Sequence, residues 1–504
     1  MTSISNNMSA ASDASSDGSD DLYLIAGTYT RPLGHVKGKA KGIHLLRHRT
    51  RYGTESSLSL CAANVPGLGD GPSFLSVLRA TYNSDGGDEG SPQLLVSVVA
   101  CNEGEDFLSL GTLSFATIRF REEGDKQQSQ WTADVMDHGV SVIGTDAAAP
   151  CHCAVFPPVQ RVTSSIKGQP TRLDAPHWIA AATYFGGTLS LHGVNVTGPD
   201  AVVVSKEPSA VVRHKDFSLV VPSRQEKAHA HQVLWLDENT VILCDLGADT
   251  VYTYHVQSTA SGNAELTLKD VLRTAPGSGP RHCAISPVHP STLFVLGELN
   301  NTVYAYRKTD TRAAGESVWS RVASFCCEPS ANGGAAAIHC SFDGLIFVSI
   351  RDVVAAGAAA QGATDGDDGC HEPIETTQDR LVVLSFDPLA SLLSCVGLLH
   401  LGGVNQADEE GGTPSPHHGR RRSDSTRRRL ACPRDFCLHP TKRFVYIAAQ
   451  NDNLVSAVPY RIVEQKATAG DVSSLAVIFE PTTVRSSVDC PTPVCVIPLL
   501  CNVA

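Results

Sequence analysis

The sequence predicts an all-β fold, a seven-bladed β-propeller closed by N- and C-terminal strands in one blade. Three observations predict it. Short runs rich in Val, Ile, Leu and Phe, bounded by Gly, Pro, Asn and Asp, recur along the chain, and such runs form strands joined by turns. They group into units of roughly 45–55 residues with about four strands each, the period of a propeller blade, while helical periodicity is nearly absent. The two ends complement each other: LYLIAGTYT matches the second strand of a unit, and the terminal PTPVCVIP matches a first strand with no second. A ring sealed this way leaves no sheet edge exposed.

Taken in order, residues 1–20 are Ser/Asp-rich with no apolar stretch, which predicts a disordered tail and no signal peptide. Residues 21–504 are expected to form a single propeller. DLYLIAGTYT (21–30) and GIHLLRH (42–48) are strands of the closing unit, and GPSFLSVLRA (71–80) opens the second. APCHCAVFP (149–157) opens the third, HAHQVLWLDENTVILCDLGADTVYTYHV (229–256) the fourth, and GSGPRHCAISP from Gly277 the fifth. AAIHCSFDGLIFVSIRD (336–352) belongs to the sixth and PRDFCLHPTKRFVYIAAQNDNLVSAVPY (433–460) to the seventh. Low-complexity insertions are expected at 83–91, 355–372 and 406–429, the last passing from acidic to strongly basic.

The net charge of −12 disfavours a nucleic-acid partner. The 16 cysteines are scattered, many inside apolar runs, as for free thiols in a reducing compartment, so a cytoplasmic protein is expected. Apolar runs are strand-sized, so no membrane span is expected. There is no G-x-S-x-G elbow, no Walker A loop and no dinucleotide-binding glycine motif opening a helix, which removes support for a serine nucleophile or nucleotide chemistry.

Polar residues fill equivalent slots. The first strands carry Cys151-His152-Cys153, Ala230-His231-Gln232, Arg281-His282-Cys283, Ile338-His339-Cys340 and Arg434-Asp435-Phe436. Aligned by these words, His152, His231, His282 and His339 share one register, and Arg281 and Arg434 the neighbouring one. The ends of the second strands carry Glu103, Tyr184, Asp245, Glu298, Arg351 and Gln450. Antiparallel neighbours lie about 4.8 Å apart, so strand starts and the following strand ends meet on one rim, and Arg281 can reach Glu298. Arginines hold a carboxylate or phosphate by forked hydrogen bonds, and histidine and carboxylate can move protons. Each residue also has a structural alternative: a turn hydrogen bond for the histidines, an inter-strand ion pair for Arg281 and Glu298, and a turn cap for Asp245 and Asp249. Histidines in one register raise the question of a metal. No paired C-x-x-C spacing supports one, so neither metal nor cofactor is expected.

AGTYT, HAHQV…CDLGADTVYTY, GSGPRHCAISP…GELNNTVYAY and PRDFCLHPTKRFVYIAAQNDN resemble the seven-bladed propeller lactonase family. That family includes the propeller-type 6-phosphogluconolactonase and the carboxy-cis,cis-muconate lactonizing enzyme. The likeness runs from about Leu22 to the C-terminus without the insertions. It implies a cytosolic, metal-free enzyme in which a histidine, two arginines and a glutamate act on one channel rim: His231, with His229 beside it, Arg281, Glu298 and Arg434. Two departures are Ser349-Ile350-Arg351, where the family has Ser-Asn-Arg, and Thr183-Tyr184, where it has Asn-Tyr.

The expected function is hydrolysis of a sugar lactone, 6-phosphogluconolactone foremost. His231, Glu298, Arg281 and Arg434 would be catalytic, and His229, His282, His152 and His339 substrate-binding. The expected partner is a small anionic lactone. The alternatives are a non-catalytic scaffold, with the basic loop 419–429 as a regulatory contact, and muconate-type cycloisomerase chemistry.

Overall fold

A computed structural model of the chain describes residues 20–33, 36–50, 56–84, 91–103, 111–124, 130–144, 146–156, 177–196, 202–259, 263–309, 315–329, 333–352, 379–401, 430–465, 474–480, 486–500 and 502–503. The tail at 1–19, most of each expected insertion and the basic loop 419–429 lie outside these residues. Every regular element described is a strand. Seven sheets of four or five strands form the blades, and one two-stranded ribbon lies apart from them.

Blade 1 joins the two ends of the chain. Its sheet runs Pro493–Leu499, Asp20–Thr28, Ile43–Thr50, Ser56–Val65, so the C-terminal strand is innermost and pairs antiparallel with the N-terminal one. Blades 2 to 7 begin with Pro72–Asn83, Pro150–Phe156, Ala230–Asp237, Pro280–Ile285, Gly333–Cys340 and Pro433–Leu438. Each first strand pairs with the next strand in sequence. Asn502–Val503 runs on from the closing strand and adds a short parallel contact to Thr81 and Tyr82 in blade 2.

The core is divided among the seven blade-to-blade interfaces, each with its own apolar cluster. The pleat explains how one strand feeds two of them. In Thr292–Gly297, Leu293 and Val295 face blade 4, while Phe294 and Leu296 face blade 6. A strand buried on both faces must be apolar throughout rather than alternating. TLFVLG, buried at every position, is such a strand. No helix among the described residues is long and apolar enough to cross a membrane.

Candidate active site at the channel rim

The rim is built from a β-bulge repeated at the start of the first strands. Pro72, Pro150, Ala230, Pro280 and Pro433 each pair with the end of the second strand, the next residue has no partner, and regular pairing resumes after it. A bulge leaves one residue outside the ladder. In blade 1 the corresponding residue is Val494, and in blade 6 the irregularity covers Ala336 and Ala337. The bulge slot thus holds Val494, Ser73, Cys151, His231, Arg281, Ala336 and Arg434 in blades 1 to 7.

This register corrects the alignment read from the letters. His231 shares the slot of Arg281 and Arg434, one residue away from His152 and His282. Ala337 stands where His282 does, and His339 lies two residues deeper. An unpaired residue does not show in the sequence, so HAHQ and PRHC look alike while being offset by one.

A second ring follows the second strands. Tyr29, Glu103, Tyr184, Leu246, Glu298 and Gln450 each donate a backbone N–H to the carbonyl just ahead of their own blade's inner strand, and Arg351 pairs with Gly334 at the same level. Asp245 is therefore not in the row of Glu298, because it pairs with Ala230 one step earlier. It caps its own turn: Oδ1 accepts the N–H groups of His229 (2.8 Å), Gly247 (3.1 Å) and Ala248 (3.2 Å). Burial pushes its carboxyl up to about 7.

Glu298 is the centre of the charged network. Its Oε2 accepts from Arg281 Nη1 at 2.6 Å, and its Oε1 from Arg224 Nη2 at 2.9 Å and Arg351 Nη2 at 3.3 Å. Arg281 also donates Nε–H to the Ala336 carbonyl at 2.6 Å, which fixes its plane. Burial alone would raise the Glu298 carboxyl, but Arg281, Arg224 and Arg351 hold it well below the usual range. Burial, then Arg281, push Arg351 down to about 10.

Blades 7, 1 and 2 carry a smaller counterpart. Arg434 lies 3.6 Å from Glu103, which accepts a 2.8 Å hydrogen bond from the Tyr29 hydroxyl, and the Arg434 guanidinium stands 5.3 Å from the Tyr29 ring centroid. In this network four guanidinium groups, of Arg224, Arg281, Arg351 and Arg434, meet two carboxylates, of Glu103 and Glu298.

The histidines divide into three kinds. His231, His282 and His152 form a buried row, with ring centroids 5.3 Å apart for His231 and His282 and 5.6 Å for His152 and His282. Phe74 stacks on His152 at 3.9 Å. The Nδ1 atoms of all three are buried without a hydrogen-bond partner among the described residues. Burial, then Arg281, hold His231 and His282 well below the usual imidazole range, and burial, then His339 and Arg281, bring His152 down to about 3. These rings are neutral. His229 differs: it stacks on Tyr184 at 4.2 Å, and its two ring nitrogens meet the Tyr184 carbonyl (3.1 Å) and Glu226 (3.2 Å). It forms wall, with both nitrogens already engaged. His339 pairs with Asp435 at 3.2 Å. Among the described residues no group of three His, Cys, Asp or Glu side chains could hold a metal ion.

Besides Glu103 and Tyr29, two cations of the network, Arg351 and Arg224, are not among the expected site residues. Arg351 was visible in the row of second-strand ends and lacked only a partner. Arg224 stands in the loop before HAH, outside the repeated strands, and the sole signal was that this loop leads onto the rim.

The fold and this rim define a β-propeller with a cationic, histidine-lined channel mouth. The family model described as "Lactonase, 7-bladed beta-propeller" matches residues 161–405, so across that segment the chain matches the propeller lactonase family. It is 36% identical over 209 residues to the 6-phosphogluconolactonase of Bacillus subtilis (strain 168), covering 41% of this chain and 51% of that protein. It is 33% identical over 90 residues to the 6-phosphogluconolactonase of Formosa agariphila, covering 17% and 25%. The matched segments thus span about half and a quarter of those relatives' own lengths. A solved structure from Bacteroides fragilis NCTC 9343 superimposes with a TM-score of 0.56 at 17% identity, over 97% of this chain and 99% of that one. One from Lactobacillus plantarum gives 0.55 at 19% identity, over 95% and 100%. At these identities the two structures speak for the fold alone.

Proposed function

We propose that the chain hydrolyses a sugar lactone, with 6-phosphogluconolactone as the leading substrate. The observation that carries this is the charge imbalance at the rim: four arginines gathered around two carboxylates favour an anionic ligand. The names of the partial relatives point to the same substrate.

In this reading the lactone carbonyl oxygen lies toward Arg281. Water adds to the carbonyl carbon, and Arg281 stabilises the charge that develops on the oxygen. His231 is neutral and lines the rim in the slot of Arg281 and Arg434. It accepts the proton of the attacking water and returns it to the ring oxygen as the C–O bond breaks. Glu298 is ionised and already engaged by Arg281, Arg224 and Arg351. Its role is to orient three guanidinium groups. Arg434 faces the ligand from blade 7.

The test is acid release from 6-phosphogluconolactone at constant pH, corrected for spontaneous ring opening, for the wild type and Arg281→Ala. Loss of one stabilising donor is expected to lower kcat by about 100-fold or more. Unchanged turnover in a folded Arg281→Ala protein would sink the assignment.

A further inference from the structure

The second ring has one position without a polar group. Six blades present Tyr29, Glu103, Tyr184, Glu298, Arg351 or Gln450, and blade 4 presents Leu246, which is apolar and fully buried. Arg224 occupies that gap. It comes from the connection between Ala210–Arg213 of blade 3 and the inner strand of blade 4, and it bridges the ring members on either side. Its Nη2 donates to Glu298 of blade 5 at 2.9 Å and to the Tyr184 hydroxyl of blade 3 at 3.3 Å.

The loop is built to hold it there. Gln225, the next residue, has no exposed surface. Its Nε2 donates to the Leu246 carbonyl at 2.9 Å and to Asp249 Oδ1 at 2.8 Å, and its Oε1 accepts from Val221 N at 3.0 Å. Asp249 in turn accepts the N–H groups of Gly277 (2.7 Å) and Gly279 (2.8 Å), two residues ahead of Arg281. One buried carboxylate therefore fixes both the loop that brings Arg224 and the turn that brings Arg281.

Arg224 differs from the other arginines on Glu298 in access. Its side chain is 37% exposed, against 6% for Arg281 and 12% for Arg351. Its Nη1 has no hydrogen-bond partner among the described residues. The acid on the same loop, Glu226, is engaged by His229. A phosphoryl dianion is strongly hydrated and costly to bury completely. Its favourable place is the mouth, beside a cation that keeps free donors and some water, with the buried arginines left for the lactone carbonyl.

We propose that Arg224 is the specificity-determining residue for the phosphorylated end of the ligand, delivered into the gap of blade 4 by the Gln225–Asp249 latch. This rests on the reading of the rim as a sugar-lactone site.

The experiment measures binding and turnover separately. Calorimetric titrations of 6-phosphogluconate and gluconate are compared for wild type, Arg224→Gln, Arg224→Lys and Gln225→Ala, beside initial rates on the corresponding lactones. Arg224→Gln is expected to weaken the phosphorylated acid about 30-fold more than the unphosphorylated one, the size of one charge-assisted hydrogen bond. Arg224→Lys recovers part of that preference, and Gln225→Ala loses part of it with Arg224 intact. A preference untouched in Arg224→Gln overturns the inference, as does a wild type that binds both acids equally or neither. If the wild type hydrolyses no lactone yet shows an Arg224-dependent preference, the specificity role stands and the hydrolytic reading fails.

Discussion

Glu298→Gln tests the electrostatic design most directly, because the substitution keeps the shape and removes one charge. In the wild type the carboxylate faces three guanidinium groups at 2.6, 2.9 and 3.3 Å, and Arg281 and Arg351 are largely shielded from water. Removing one partner of a buried ion pair costs about 3–5 kcal/mol, since the other charge stays behind uncompensated. The expected loss is of that order, read as a lower urea midpoint by tryptophan fluorescence. The pH dependence supplies a second check. The folded carboxyl titrates well below its unfolded value of about 4.3. Its stabilisation is therefore fully present above that value and lost as pH falls through the folded one. Glutamine does not titrate, so the stability gap between the two proteins is widest at neutral pH and narrows in acid. Inorganic phosphate, by supplying a substitute anion, is expected to stabilise the variant more than the wild type. A variant within about 0.5 kcal/mol of wild type at neutral pH, in the ordinary range of surface substitutions, would refute the claim that Glu298 holds the arginines together.

Other expectations follow from the same geometry. His231→Gln should lower kcat by about 100-fold or more. If His231 is the base, the acid limb of kcat/KM in the wild type is expected below the ordinary imidazole range, because burial and Arg281 favour the neutral ring; a limb at or above that range would contradict the assignment. Asp249→Ala removes the acceptor of the Gln225, Gly277 and Gly279 donors and should destabilise by about 2–4 kcal/mol, measured by thermal or urea unfolding. Deleting 493–504 removes the inner strand of blade 1 and exposes the edge of Asp20–Thr28, so self-association is expected by size exclusion. A monomer with an unchanged unfolding midpoint would count against closure as a source of stability.

The fold was legible because it is repeated. Seven similar units and two complementary ends constrain topology far more than any single segment does. Blade 1 pairs Tyr23 with Leu499 as those ends require. The candidate site was legible only where it lies on the repeat. Arg281, Glu298 and Arg434 occupy repeated slots, and their neighbours in space follow from the ladder. His231 and His339 were placed in the wrong register because the bulge inserts an unpaired residue that leaves no mark on the letters. Asp245 was aligned with Glu298 by its place after a strand, although the ladder places Leu246 there. Arg224 was not seen, since a loop between blades carries no period from which to predict where it returns.

The bulge also explains how such a rim can carry chemistry without disturbing the blades. In Pro280–Ile285 the regularly paired Cys283 belongs to the interface with blade 4, and Ala284 packs against the interface with blade 6. The unpaired residue has no such obligation. Its slot therefore tolerates Ser73, Cys151, His231, Arg281, Ala336, Arg434 and Val494 around one ring. Residues just past the second strands have the same freedom. Charge on these two rings costs the interfaces little where carboxylates offset it across the rim, as Glu298 does in part for Arg224, Arg281 and Arg351. The seven-fold repeat thus supplies equivalent frames, and function requires that they be filled unequally. Cations and their carboxylates collect around blades 5 and 6 and again around blades 7 and 2, with the neutral imidazoles of His152, His231 and His282 between them. On the proposed reading an anion entering the mouth would meet fixed donors on both sides and a proton acceptor in the middle, an arrangement that an evenly filled ring could not provide.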